Sequence, residues 1–286
     1  MEFVPVQADA ARLAQYEALF AACFPPSARL DADYLTWLYS DNPDGPIVGF
    51  DAREGSKVIA HVAFVPASLR LQGQQTHGLL ALNIATHPHC QGRGLFTQLV
   101  RLTIDSLVGS HFSCIFGVAN SNALPGWIGR LGFQDVCGLD AIVGLGAGPS
   151  IDHLTANAAA DFARTWTSAS LTWRCANPKN RLHVQPLGPD LVRISARTSY
   201  PLIGASTTLP RPLGFELAEA GTRPFGLLNL HLGLEPAGTS TRSLSMPIPE
   251  RVKPSPLRLI YRNLVDPGDH LDPARILFRM IDFDAY

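Results

Sequence analysis

The stretch that most restricts the fold is residues 79–107, LLALNIATHPHCQGRGLFTQLVRLTIDSL. Residues 79–86 are largely apolar and run into His87-Pro88, where proline pushes the preceding residue out of the helical region and removes a backbone donor. From Leu95, apolar residues recur at 95, 96, 99, 100, 102, 104, 107 and 108, the spacing of a helix with one broad buried face, and Gly109 is a natural stop. The unit reads strand, tight loop, helix.

Between strand and helix stand Gln91, Gly92, Arg93, Gly94, Leu95 and Phe96. Two glycines at the mouth of a helix let the backbone approach a ligand and aim unpaired amides at it, and the helix dipole adds partial positive charge. Such a loop suits a pyrophosphate, although plain turn chemistry accounts for the glycines equally well. A dinucleotide fingerprint needs a third spaced glycine and a P-loop needs Gly-Lys-Ser/Thr; neither pattern is present.

With 286 residues, 46% of them hydrophobic, the chain is long enough for one large or two ordinary well-cored domains. A formal net charge of −1 gives no general attraction to nucleic acid or an anionic membrane, so neither is expected as a partner. Cys23, Cys90, Cys114, Cys137 and Cys175 are odd in number and scattered, which fits buried thiols in a reducing compartment. The opening residues lack the basic and apolar sections of a signal peptide, so a cytoplasmic location is expected. No His/Cys/Asp/Glu cluster has metal spacing, and no metal is expected.

Taken in order, the patterns predict an edge strand at 3–6, a helix at 9–23, and a second helix at 31–39 with an acidic start. Tyr34, Trp37 and Tyr39 on this second helix either pack an amphipathic face or line an acceptor pocket. Strands follow at 47–52, 57–65, 68–72 and 76–86 as an antiparallel meander. After the glycine loop and its helix come a strand at 112–119, a short helix to residue 132, and strands at 133–136 and 139–144.

Residues 91–96 resemble the acyl-CoA loop of the GNAT superfamily of N-acetyltransferases, whose signature is Arg/Gln-x-x-Gly-x-Gly/Ala. Gln91 and Gly94 match, while Phe96 replaces the small final residue, a departure similar to one branch of the superfamily. That branch also has an Asn-containing turn followed by Leu-Gly-Phe, and residues 117–133, GVANSNALPGWIGRLGF, fit it. The resemblance implies an α/β (α+β) GNAT fold over residues 1–147: a mixed central sheet flanked by helices. It implies acetyl-CoA or another acyl-CoA as co-substrate and transfer to a primary amine of a small molecule, with an amino sugar as one acceptor.

By that resemblance Ile84, Ala85 and Thr86 offer backbone groups to the pantetheine, and Gln91, Gly92, Gly94, Leu95 and Phe96 offer amides to the pyrophosphate. Arg93 either adds charge there or stays a solvated arginine. Asn120 or Asn122 touches the CoA arm or caps the following turn. The family's tyrosine acid is missing, since Ile128 stands at its position beside Trp127, which leaves Tyr39 or solvent to protonate the thiolate. For the base, the candidates beside the central strand are Asn83, which cannot take a proton, and His61, which can titrate near neutrality or be a structural strand histidine. The missing groups leave a second reading open, a CoA-binding regulatory protein without chemistry.

Residues 148–286 contain no second glycine loop but carry an echo: Leu171-Thr-Trp173 with Asn177-Pro178 repeats Leu35-Thr-Trp37 with Asn42-Pro43. This suggests an internal duplication. A smaller, degenerate GNAT-like domain that covers the acceptor site is expected, with a helix at 156–169, strands at 181–185, 191–199, 225–234, 257–263 and 276–283, and loops at 201–212 and 246–249.

Overall fold

The computed structural model describes residues 1–24, 30–145, 150–216, 226–241, 245–248 and 257–285. Strand β1 (Glu2–Pro5) is followed by helices α1 (Ala10–Cys23) and α2 (Ala32–Tyr39). Each helix starts at an aspartate whose carboxylate accepts a first-turn N–H, Asp9 from Arg12 at 3.0 Å and Asp31 from Tyr34 at 3.2 Å. Strands β2 (Val48–Glu54), β3 (Lys57–Leu71) and β4 (Gln74–Thr86) form the expected antiparallel meander.

The two strands expected on either side of Pro66 are one. Pairing of β3 with β2 ends at Phe64, so the donor that Pro66 lacks faces no ladder. The 42–44 turn takes over instead: Asn42 Nδ2 donates to the Pro66 carbonyl at 2.9 Å, and the Ser68 N–H donates to Asp44 at 3.1 Å.

Helix α3 (Leu95–Ser106) and strand β5 (Phe112–Ala119), parallel to β4, complete the unit predicted from residues 79–107. Leu95, Leu99 and Val100 of α3 bury against Phe64, Leu79 and Ile115 on one face of the sheet, while Tyr16, Phe20, Leu35 and Leu38 of α1 and α2 pack on the other. Strands β6 (Gln134–Gly138), β7 (Asp140–Leu145) and β8 (Ser150–Ile151) lead to the second half.

The remaining elements are α4 (His153–Ala159), β9 (Phe162–Arg164), α5 (Ser168–Cys175), β10 (His183–Pro186), β11 (Leu191–Arg197), β12 (Ile203–Pro210), β13 (Leu228–Leu234), β14 (Ser240–Thr241), β15 (Ser245–Pro247), β16 (Arg258–Asn263) and β17 (Ile276–Arg279). The helix expected over 156–169 is two pieces. Phe162, Ala163 and Arg164 are buried and form a strand on the part of β3 that β2 leaves uncovered. The loop expected over 201–212 contains β12, whose interior carries no proline. The expected strand 276–283 stops at Arg279, because the Asp282 carboxylate accepts the Arg279 N–H at 2.6 Å and turns the chain.

Pairing repeats between the halves. β2, β3 and β4 are antiparallel neighbours and β4 is parallel to β5; β10, β11 and β12 are antiparallel neighbours and β12 is parallel to β13. Each half also sends a strand to the other: β16 lies between β5 and β6, antiparallel to both, and β7 pairs with β13. Through β9 and β17 the described strands join into one fifteen-stranded sheet, with β8 and β14 as a separate pair. The sheet is thus continuous across the expected boundary between 147 and 148, which itself lies outside the described residues.

The echoed tryptophans meet. Trp37 and Trp173 stack at 4.9 Å, and each indole N–H donates to the other's backbone carbonyl at 2.8 Å. Such reciprocity is what a local two-fold relation between α2 and α5 produces. No helix among the described residues is long and apolar enough to cross a membrane.

Candidate active site

The ladder between β4 and β5 ends at Ala81–Gly117. A Cβ on Gly117 would come within 3.0 Å of the Ala81 Cβ, so glycine allows the two strands to meet at that apex. Beyond it they diverge. On the other side of β4, His61 pairs with Ala85 and Ala63 with Leu82, so Asn83 and Ile84 oppose Val62 alone. This is a β-bulge, and Asn83 takes the left-handed φ of 52° within it. Bulge and divergence leave one edge of residues 82–86 without a strand partner, and two clefts open around it.

The first cleft, about 600 Å³, is lined by Ile84, Ala85, Thr86, Gln91, Gly92 and Gly94, and also by Leu95, Phe96, Asn120, Asn122 and Trp127. Gly94, at φ 75°, starts α3 with no side-chain cap, whereas α1, α2, α4 and α5 are capped by Asp9, Asp31, Asp152 and Thr167. The α3 amides are thereby left to the cleft, with the positive end of the helix dipole. A Cβ on Gly92 or Gly94 meets nothing within 4 Å, so the space before the loop is open.

The side chain of Gln91 ties the loop to the end of β4 by donating to the Thr86 carbonyl at 3.3 Å. Phe96, which departs from the small-residue signature, sets its ring edge-on to Trp127 at 5.0 Å and against Gly126, where a Cβ would lie 2.8 Å from the ring. The small residue has moved across the contact. Asn120 Oδ1 accepts from the N–H groups of Asn122 and Ala123 at 3.1 and 3.0 Å, so it caps the turn while its residue borders the cleft.

A second cleft, about 360 Å³, lies on the other side of the β4 edge and shares Ile84, Asn120, Ala123 and Trp127 with the first. Tyr34, Asn83 and Asp284 are its other polar residues. Asp284 accepts from Arg174 Nη1 at 3.0 Å and from the Tyr34 hydroxyl. Arg174 also donates to the carbonyls of Ile281 and Phe283 at 3.1 and 3.2 Å, which fixes the C-terminal turn that carries Asp284. Burial, and then the Asp284 charge, push the Tyr34 phenol well above its usual range, so it stays a neutral donor. The sequence reading missed both Asp284 and Arg174. The available signal was in the echo, where Arg174 follows Trp173 although Leu38 follows Trp37: an arginine in a buried position calls for a carboxylate.

Four predicted site residues lie elsewhere. Arg93 points to Glu54, 2.9 Å away, with both side chains about half exposed. Trp37 is spent on Trp173. His61 and Tyr39 are fully buried in a network that lines neither cleft: His61 Nδ1 meets Asp51 Oδ1 at 2.7 Å, His61 Nε2 meets the Tyr39 hydroxyl at 3.0 Å, and the Tyr16 hydroxyl donates to Asp51 Oδ2 at 2.8 Å. Burial raises the Tyr39 phenol out of reach of neutral-pH titration.

Residues 7–134 match the family described as an acetyltransferase (GNAT) domain. No curated protein matches the sequence. Among solved structures, 92% of the chain superposes on 73% of a conserved protein of Enterococcus faecalis, described as a "probable N-acyltransferase", with TM-score 0.57 and 8% identity. It also superposes over 92% of its length on 73% of a GCN5-related N-acetyltransferase from Anabaena variabilis, with TM-score 0.56 and 12% identity. At such identities the likeness is one of fold. Residues 7–134, just under half of the chain, are thus similar to a GNAT acetyltransferase domain, and the chain shares the fold of these N-acyltransferase structures, with the splayed β4–β5 pair and the uncapped α3 within the matched part.

Proposed function

We propose that the protein is an N-acyltransferase that moves an acetyl or other short acyl group from acyl-CoA to the primary amine of a small molecule, by direct attack in a ternary complex. The observation that carries this reading is adjacency: the cleft at the uncapped helix and the second cleft share Ile84, Asn120, Ala123 and Trp127 in their walls, beside the opening between β4 and β5. A donor in one and an acceptor in the other would bring thioester and amine together there.

Gly92, Gly94 and the first turn of α3 supply amides for the pyrophosphate of CoA, and the unpaired edge at 84–86 supplies backbone groups for the pantetheine. In the reaction the amine nitrogen bonds to the acyl carbon and the carbon–sulfur bond breaks. The acceptor, held as its ammonium, first gives one proton to Asp284, the single carboxylate among the described residues lining the second cleft, to free the attacking lone pair; the second nitrogen proton leaves to solvent after attack, and the sulfur takes a proton from solvent. Tyr34 and Arg174 orient that carboxylate. Asn83 lines the same cleft and contributes a hydrogen-bonding amide.

The competing reading is a CoA-binding regulatory protein without chemistry, motivated by Ile128 at the family's tyrosine position. Free-thiol release from acetyl-CoA across a panel of amines separates the two. Acceptor-dependent release supports transfer. Tight CoA binding by calorimetry with no amine raising release above hydrolysis overturns it.

A further inference from the structure

The polar groups of the second cleft define what kind of amine it takes, an inference that rests on the transferase reading. Ten of its fourteen lining residues are apolar, among them Leu30, Leu82, Val118 and Ile260. Of the four polar ones, Tyr34 spends its hydroxyl on Asp284 and Asn120 spends its oxygen on the turn it caps. That leaves the remaining lone pairs of the Asp284 oxygens, each of which already accepts one hydrogen bond, and the Asn83 amide, which stands beside the Tyr34 and Tyr39 hydroxyls. No lysine or arginine lines the cleft among the described residues; Arg174 stands behind Asp284 and is engaged with it.

We infer that the acceptor is a compact alkyl or arylalkyl primary amine, with one ammonium group for Asp284, an apolar body for the walls, and no phosphate or carboxylate. The physical grounds are solvation and charge. Each sugar hydroxyl pressed against the apolar side chains, away from the unpaired backbone edge at 82–84, would lose water without gaining a partner, at a cost on the order of tenfold in affinity. A phosphate or carboxylate would meet Asp284 with Arg174, already paired to that carboxylate, as the nearest cation among the described residues, so its charge would find no unpaired partner there. The expected amino sugar fits this inventory poorly, and a nucleotide-linked one fits it worse. The volume, about 360 Å³, suits a molecule of the size of phenethylamine.

The test compares phenethylamine, hexylamine, methylamine, glucosamine and glucosamine 6-phosphate with the full-length protein. Thiol release gives kcat/KM for each, and calorimetry on protein saturated with CoA gives their affinities independently of chemistry. Phenethylamine or hexylamine exceeding glucosamine by about 100-fold in either readout supports the assignment, two unpaired hydroxyls being enough for that ratio. Glucosamine or its phosphate equal to or better than the apolar amines overturns it, as does failure of every amine to bind. If the apolar amines bind in that order but none supports thiol release, the acceptor class stands and the transferase reading falls. Val118→Phe, which narrows the cleft from β5, should raise KM for phenethylamine at least tenfold more than for methylamine while CoA affinity is unchanged. Equal effects on both amines would place the acceptor elsewhere.

Discussion

Asp284 accepts hydrogen bonds from two side chains at the mouth of the second cleft, and both come from distant parts of the chain, Tyr34 from α2 and Arg174 from α5. If it takes the amine proton, Asp284→Asn should lower kcat by about 10²–10⁴-fold, the usual range for loss of a positioned base, with CoA affinity unchanged in calorimetry. An unaltered kcat would remove it from the mechanism. Two residues away, Asp282 is buried with its carboxyl pushed up to about 6, chiefly by desolvation against which the Arg279 N–H, Arg164 and Arg279 work. A carboxyl whose folded value is raised binds its proton more tightly in the folded state. Its stabilising contribution is fully present below about pH 3.8 and is lost as pH rises through about 6, an effect on the order of 3 kcal/mol. Asp282→Asn should therefore flatten the dependence of the thermal midpoint on pH between about 4 and 6.5; a slope equal to that of the parent protein would refute the assignment.

At the scale of elements, α3 differs from the other α-helices in having an uncapped start, and it starts at a glycine in the left-handed region. Both properties serve an anion better than they serve the helix, since a side-chain cap would occupy the amides a phosphate needs. Gly94→Trp puts a bulky group into the open space before the loop and strains a φ of 75°. Acetyl-CoA affinity should fall at least 100-fold by calorimetry; an unchanged Kd would refute the pyrophosphate assignment. The helix itself was legible from its periodicity, and the glycines from their spacing. The β-bulge at Asn83 was not, because nothing in an apolar run marks which residue will go unpaired, and the buried role of His61 was not, because Asp51 and Tyr39 reach it only through the pairing of β2 with β3 and the packing of α2.

Across the whole molecule, the two halves repeat a pairing order and exchange strands, β16 going one way and β7 the other. The stacked, reciprocally bonded Trp37 and Trp173 stand between the echoed helices. We take this as support for an internal duplication, in which each half has come to depend on the other. Residues 1–147 produced alone would leave β5 and β6 without β16 between them and expose Leu259, Ile260 and Tyr261's partners in the core. That fragment should show no cooperative thermal transition, and addition of residues 148–286 should restore one; a fragment that melts cooperatively by itself would contradict strand exchange as a requirement for folding.

Residues 79–107 by themselves determined the strand, the loop and the helix, and with residues 117–133 they pointed to the ligand class, because local periodicity and glycine spacing act within one short segment. The echo of Leu-Thr-Trp likewise announced a repeat. Where the base sits, which side chains reach the acceptor and which half a strand joins were decided only in the tertiary structure. Asp284, Tyr34 and Arg174 are separated by more than a hundred residues, as are β5 and β16, and their meeting depends on burial and pairing energies summed over the whole sheet, which no short segment encodes.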